Sequence, residues 1–305
     1  MRMRAPRSLL ALTLITCAWV PTLACGHAPR GAPETSGAAA FGRTTFGPMP
    51  APDRIEENRH GAEMLKTAGF RGTFVLFDGE TKRWSATDAH LASERYLPAS
   101  TFKIPNALIA LQTGVASGED FLLRWDGKPR GRPEWDRDHT LASAMEVSAV
   151  WYFQEIARRV GEARMRSLVT AFDYGNGDVS GEIDRFWLSG NLGISPLEQV
   201  HFLGRMKAGE LPVDRAHVAT VEKITTLASG KDKTGGWTLR GKTGMHEDAA
   251  NAHGWLVGSV ERAGRTHIYA LLLVGRIEES ARIMGARKDL TRALLDDAQV
   301  LPAAY

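Results

Sequence analysis

WTLRGKTGMHEDAANAHGWLVGSVERAGRTHIYALLLV, residues 237–274, holds three short apolar runs parted by polar, Gly-rich turns. The runs predict strands at about 237–243, 254–261 and 267–274, each too short for a buried helix. Downstream, residues 286–299 read as an amphipathic helix, with Leu290, Leu294 and Ala298 on one face. Upstream, from about 98 to 210, the pattern is helical at 103–113, 140–160, 162–172 and 195–207. Before that block, GTFVLFD (Gly72 to Asp78) reads as a buried strand turning at Asp78-Gly79, preceded by a short helix capped by Asp53 and running to about Ala68. A strand, a long helical block, consecutive strands and a closing helix make an α+β fold: an antiparallel β-sheet flanked by helices, with an all-helical subdomain. No internal repeat interrupts it.

The chain has 305 residues, 43% apolar and 24% charged, enough for a full core. Its formal net charge of +3 comes from scattered Lys and Arg rather than from runs, which argues against a nucleic-acid groove. The start, MRMRAPR followed by SLLALTLITCAWVPTLAC, has the basic and apolar regions of an export signal over residues 1–25, with an uncleaved anchor as the alternative. The two cysteines, Cys17 and Cys25, both fall in that segment, so the remaining chain holds no disulfide. Thr22-Leu23-Ala24-Cys25 loosely matches a lipoprotein box, which leaves open a membrane tether through a lipid on Cys25. Residues 26–52, rich in Ala, Gly and Pro, read as a flexible tether, and the folded domain as 53–305.

Pro98-Ala99-Ser100-Thr101-Phe102-Lys103 stands where a loop enters a helix. Residues three apart share a helix face, so the Ser100 hydroxyl and the Lys103 amine can meet as nucleophile and base. A helix N-terminus there favours developing negative charge. Ser-x-x-Lys alone also occurs by chance on surface helices, and its neighbours must carry the argument. Ser148-Ala149-Val150 supplies a second hydroxyl able to relay a proton, or merely a small packing residue. Tyr174-Gly175-Asn176 is a turn signature. Lys-Thr-Gly occurs at Lys233 to Gly235 and again at Lys242 to Gly244. The first copy lies in a polar turn; the second ends the predicted strand 237–243, where it would offer backbone donors and a charge to a carboxylated ligand. Lys242, Thr243 and Gly244 are therefore the expected binding copy.

With these motifs in order, the chain resembles the class D β-lactamases, the oxacillinase family. PASTFKIPNALIALQTG, WDGKPRGRPEWDRDHTLASAMEVSAV, FDYGNGDVSG and FWLSGNLGIS carry the likeness, which runs from about residue 70 to 298. The resemblance implies a serine β-lactamase or penicillin-binding-transpeptidase-like fold and hydrolysis of penicillin-type β-lactams, conferring antibiotic resistance. It implies Ser100 as the acylated residue, Lys103 as an N-carboxylated base needing carbon dioxide but no other cofactor, and Ser148 as the relay. Phe102, Val150 and Leu188 would line the carbamate pocket, with the Trp187 indole N–H donating into it. The backbone N–H groups of Ser100 and Met245 would form the oxyanion hole, and Arg287 would hold the substrate carboxylate beside Thr243. Class A enzymes take their deacylating base from a Glu-x-x-Leu-Asn loop, which is absent from this sequence.

His246 and His253 raise the question of a metal, but they read as exposed histidines in a polar loop without the clustering that zinc needs. Trp151-Tyr152 beside Val150 is bulkier than the family pattern. The alternative function is a β-lactam-binding sensor or a penicillin-binding protein that is acylated without turnover. Expected partners are small β-lactams, and a monomer and a homodimer are both open. The expected location is the periplasm, with or without a lipid anchor.

Overall fold

The computed structural model describes residues 45–302. In chain order its elements are β1 (Ile55–Glu57), α1 (Arg59–Thr67), β2 (Arg71–Asp78), β3 (Trp84–Ala86), α2 (Ala89–Ser93), α3 (Lys103–Gln112), β4 (Leu122–Leu123), β5 (His139–Thr140), α4 (Leu141–Glu146), α5 (Val150–Val160) and α6 (Glu162–Ala171). They continue as α7 (Pro196–Ala208), α8 (Arg215–Ile224), β6 (Thr226–Asp232), β7 (Gly235–Glu247), β8 (Asn251–Arg262), β9 (Arg265–Arg276) and α9 (Ser280–Asp297). The main sheet runs β1-β3-β2-β9-β8-β7-β6, and all its pairings are antiparallel except the short parallel pair β1–β3.

Alternation sorts the sheet residues onto two cores. Val75, Phe77, Trp255, Val257, Ala270 and Leu272 face the helical block, packed with residues of α3, α5 and α7. Phe74, Leu256, Tyr269, Leu271 and Leu273 face the other way, against Leu65 of α1 and Ile283, Leu294 and Leu295 of α9. Burial on both faces explains why β8 and β9 read as nearly unbroken apolar runs although they are antiparallel.

Several boundaries differ from the sequence reading. Asp53 caps no α-helix: it sits in a 3₁₀ turn, Ile55–Glu57 pairs with Trp84–Ala86, and α1 starts only after Asn58, whose Oδ1 accepts the Gly61 N–H at 2.8 Å. Ladder hydrogen bonds to β3 outcompete a longer helix there. The ordered body also reaches back beyond 53, because the Phe46 ring lies 4.5 Å from that of Phe77 and 5.8 Å from that of Trp84. The helical stretch 140–160 is two helices, broken at Ser148 with φ of 58°. Two indoles hold that elbow: Trp135 Nε1 donates to the Val147 carbonyl (2.9 Å), and Trp151 Nε1 to the Trp135 carbonyl (2.8 Å). The helical block is not wholly helical, since β4 and β5 form a two-stranded ladder within it. The sequence reading placed no element at β3, β6 or α8, although Val218, Val221 and Ile224 of α8 recur at helical spacing. The export segment 1–25 lies outside the described residues.

Candidate active site

Ser100 lies in a 3₁₀ turn, Ala99–Phe102, that leads directly into α3. Ala99 before it has φ of 48°, a left-handed conformation that costs about 1 kcal/mol for a residue with a Cβ. Such strain persists where surrounding contacts over-determine it. Here the Leu97 carbonyl accepts from Trp255 Nε1 at 3.0 Å and from His253 at 2.8 Å, while the Ala99 N–H donates to the Trp187 carbonyl at 3.0 Å. Inside the turn, Thr101 Oγ1 donates to the Pro98 carbonyl at 2.7 Å and accepts from Gln199 Nε2 at 2.8 Å. Thr101 and Gln199 were not singled out in the sequence; both are buried supports rather than groups facing a ligand.

The i, i+3 spacing brings Lys103 Nζ to 2.7 Å from Ser100 Oγ. Lys103 is fully buried, makes no ion pair among the described residues, and its Nζ sits 5.5 Å from the Phe153 ring centroid. Burial, reinforced by the nearby charge of Lys242, holds its amine well below the usual lysine range. Phe102 and Trp187 stack beside it, ring centroids 5.3 Å apart, and both are buried. Trp187 Nε1 is buried with no hydrogen-bond partner among the described residues, an orphaned donor. Leu188 and Val150 line a cleft of about 370 Å³ with Trp135, Trp151, Gln154, Arg130, Arg185 and Ser189, a lining that does not include Lys103, Phe102 or Trp187. Ser148 sits at the α4–α5 elbow, and α5 packs on α3, where Asn106 Nδ2 reaches the Phe153 carbonyl at 3.2 Å.

Lys-Thr-Gly at 242–244 lies within β7, which continues to Glu247, so the copy does not end its strand as the sequence suggested. It does lie on an open edge: β6 pairs with β7 only as far as Arg240, and the uncovered edge packs against the Ser100 turn. The copy at Lys233 occupies the β6–β7 turn, away from that edge. Gly244 permits the approach, since a Cβ there would meet the Pro98 carbonyl oxygen at 2.9 Å and Thr101 Cγ2 at 3.2 Å. Lys242 is buried, and desolvation together with the charges of Arg287 and Lys288 lowers it to about 7. Arg287, on α9, is buried, lowered to about 10 by desolvation, and donates through Nη1 to the Gly244 carbonyl. Thr243 and Met245 are half-buried on the same strand. Lys103, Lys242 and Arg287 thus converge without a carboxylate in ion-pair contact among the described residues, an arrangement that favours an anionic ligand.

The histidine expectation fails. His246 and His253 are not exposed loop residues: they face each other as register partners on β7 and β8, and His253 is 7% exposed. The loop between these strands is only residues 248–250. Period-two alternation carried through from Lys242 and Gly244 to His246, and back from Trp255 to His253, would have put both on the face toward Ser100. The turn at Tyr174-Gly175-Asn176 clamps the segment after Trp187. Asn176 Oδ1 accepts the Gly193 N–H at 3.0 Å, its Nδ2 donates to the Asn191 carbonyl at 2.8 Å, and Gly175 has φ of 59°.

A family profile for the penicillin binding protein transpeptidase domain matches residues 70–291. Beta-lactamase OXA-10 of Pseudomonas aeruginosa is 41% identical over 71% of this chain and 81% of its own length. The regulatory protein BlaR1 of Bacillus licheniformis is 32% identical over 94% of this chain but only 46% of that protein. Among solved structures, a class D β-lactamase from Nostoc superposes with a TM-score of 0.75 at 33% identity, over 79% of this chain and 99% of that one. A relative that is 41% identical over most of its length, and a solved class D enzyme covered almost end to end, agree with the Ser-x-x-Lys, Ser-x-Val, Tyr-Gly-Asn and Lys-Thr-Gly order: the chain belongs to the class D serine β-lactamases.

Proposed function

We propose that this β-lactamase hydrolyses penicillin-type β-lactams through an acyl-enzyme on Ser100 with Lys103 as its base, and so confers resistance to these antibiotics. The observation that carries the reading is the buried Lys103 amine, without a carboxylate partner, 2.7 Å from Ser100 Oγ. With burial holding its amine well below the usual lysine range, the Lys103 side chain takes the Ser100 hydroxyl proton as Oγ attacks the lactam carbonyl carbon. The Ser100 and Met245 N–H groups receive the oxyanion, a role supported by the close approach of β7 to the Ser100 turn at Gly244. The C–N bond then breaks, and Ser148 at the elbow relays the proton to the departing nitrogen. Water attacks the Ser100 ester and gives its proton to the Lys103 side chain; the acyl C–O bond then breaks, Lys103 returns that proton to Ser100 Oγ, and the ring-opened acid leaves. Lys242, Thr243 and Arg287 hold the substrate carboxylate, in keeping with the cationic edge they build.

The pocket also fits a carboxylated Lys103. The orphaned Trp187 N–H would donate to it, Phe102, Val150 and Leu188 would enclose it, and among the described residues no carboxylate pairs with Lys103. Carbon dioxide bound there supplies an oxygen base usable in both half-reactions. The basic then apolar start of the chain supports export to the periplasm, with a lipid on Cys25 as a tether. Mass spectrometry of the protein mixed with a penicillin tests the reading: the adduct on Ser100 should appear and decay as product forms, and Ser100→Ala should show neither adduct nor hydrolysis. A lasting adduct would favour an acylated sensor instead.

A further inference from the structure

His246 and His253 belong neither to the nucleophile pair nor to the carboxylate-binding edge, yet both point at the walls of the site. Their rings lie 4.9 Å apart at 31° across β7 and β8. Each touches a main-chain carbonyl of a different wall: His253 Nε2 is 2.8 Å from the Leu97 oxygen, and His246 Nδ1 is 3.0 Å from the Leu188 oxygen. A carbonyl only accepts, so Nε2 of His253 and Nδ1 of His246 each carry the hydrogen. Leu97 leads through Pro98 and the strained Ala99 into Ser100, whereas Leu188 directly follows Trp187. The two walls meet once more, where the Ala99 N–H donates to the Trp187 carbonyl at 3.0 Å. One cross-strand pair therefore touches both walls.

We propose that the two histidines are positioning residues with divided tasks: His253 seats the nucleophile turn for acylation, and His246 seats the Trp187–Leu188 wall, and with it the base pocket, for deacylation. The division follows from which carbonyl each one holds. Burial pushes the His253 imidazole down to about 4, so it keeps a single N–H at neutral pH, and that hydrogen is committed to Leu97. Trp255 Nε1 shares the Leu97 carbonyl, so loss of His253 alone loosens the turn without releasing it.

The proposal rests on Ser100 as nucleophile and Lys103 as base. Its test exploits side-chain reach, because a Gln amide nitrogen sits where His Nε2 does and an Asn amide nitrogen where Nδ1 does. Both amides are placed at both positions, and acylation and deacylation rates are read from time-resolved adduct masses with a penicillin, beside thermal melting. His253→Gln should acylate within about twofold of the unaltered protein while His253→Asn acylates roughly tenfold more slowly, the effect of about one lost hydrogen bond. At 246 the order should reverse and shift to the second step: His246→Asn deacylates normally, and His246→Gln deacylates roughly tenfold more slowly and accumulates adduct. The same preference for one amide at both positions, equal falls in both steps, or rates that merely follow melting temperature would overturn the proposal. Absence of a Ser100 adduct in the unaltered protein would overturn the nucleophile assignment as well, and that is seen before any variant is made.

Discussion

Lys103 is a long aliphatic chain ending in an amine that is fully buried and makes no ion pair with a carboxylate, which is unfavourable for the fold and useful for proton transfer. Lys103→Met keeps the shape and removes the buried amine. It should abolish hydrolysis while stabilising the protein by about 1–3 kcal/mol, measurable by denaturant unfolding; a destabilised variant would mean that the side chain has a stabilising partner beyond Ser100. Lys242 carries a pH dependence of definite sign. With its pKa lowered to about 7 it is cationic below that pH and neutral above, whereas Arg287, lowered only to about 10, stays charged. KM for penicillins should therefore rise as pH climbs through about 7, and Lys242→Ala should flatten that rise. Lys233→Ala, in an exposed turn, should leave KM and its profile unchanged. At this scale the motifs were legible because their chemistry is local: a Ser and a Lys one helical turn apart need little else. Gln199 and the carbonyl partners of the histidine pair were not, since those contacts join residues distant in sequence.

The open edge of β7 is the element that brings the binding motif to the nucleophile. Gly244 has no room for a side chain, with Pro98, Thr101 and Trp255 all within 3.2 Å of a Cβ built there. Gly244→Ala should push the strand from the Ser100 turn and lower kcat/KM by roughly 10- to 100-fold, beyond any loss of thermal stability; unchanged kinetics would show that the edge does not help form the site. The strands around 237–274 were legible from apolar runs, but their lengths were not. Polar residues such as His246 and Glu247 continue β7 because β8 pairs with them, not because their own propensity demands a strand. The break at Ser148 was hidden for a related reason: no Gly or Pro marks it, and the Trp135 indole that bonds the Val147 carbonyl comes from a separate turn upstream. Asp53 looked like a cap only while the pairing of Ile55–Glu57 with β3 was out of view.

Across the whole molecule the sheet is a wall with a core on each side, and the site is built where its β7 edge meets the helical block. α9 crosses the far face yet sends Arg287 to the Gly244 carbonyl, so both cores support one cationic pocket. The α+β class was visible from element order alone, whereas the convergence of Lys103, Lys242 and Arg287 required tertiary packing. If Lys103 acts as a base beside the Trp187 N–H, deacylation depends on bicarbonate. Trp187→Phe keeps a ring against Phe102 and removes only the donor. The deacylation rate of the unaltered protein should rise with added bicarbonate and fall in acid, while Trp187→Phe deacylates slowly at ordinary bicarbonate and regains rate only at high concentration. A deacylation rate indifferent to bicarbonate in the unaltered protein, with Trp187→Phe turning over normally, would contradict the account.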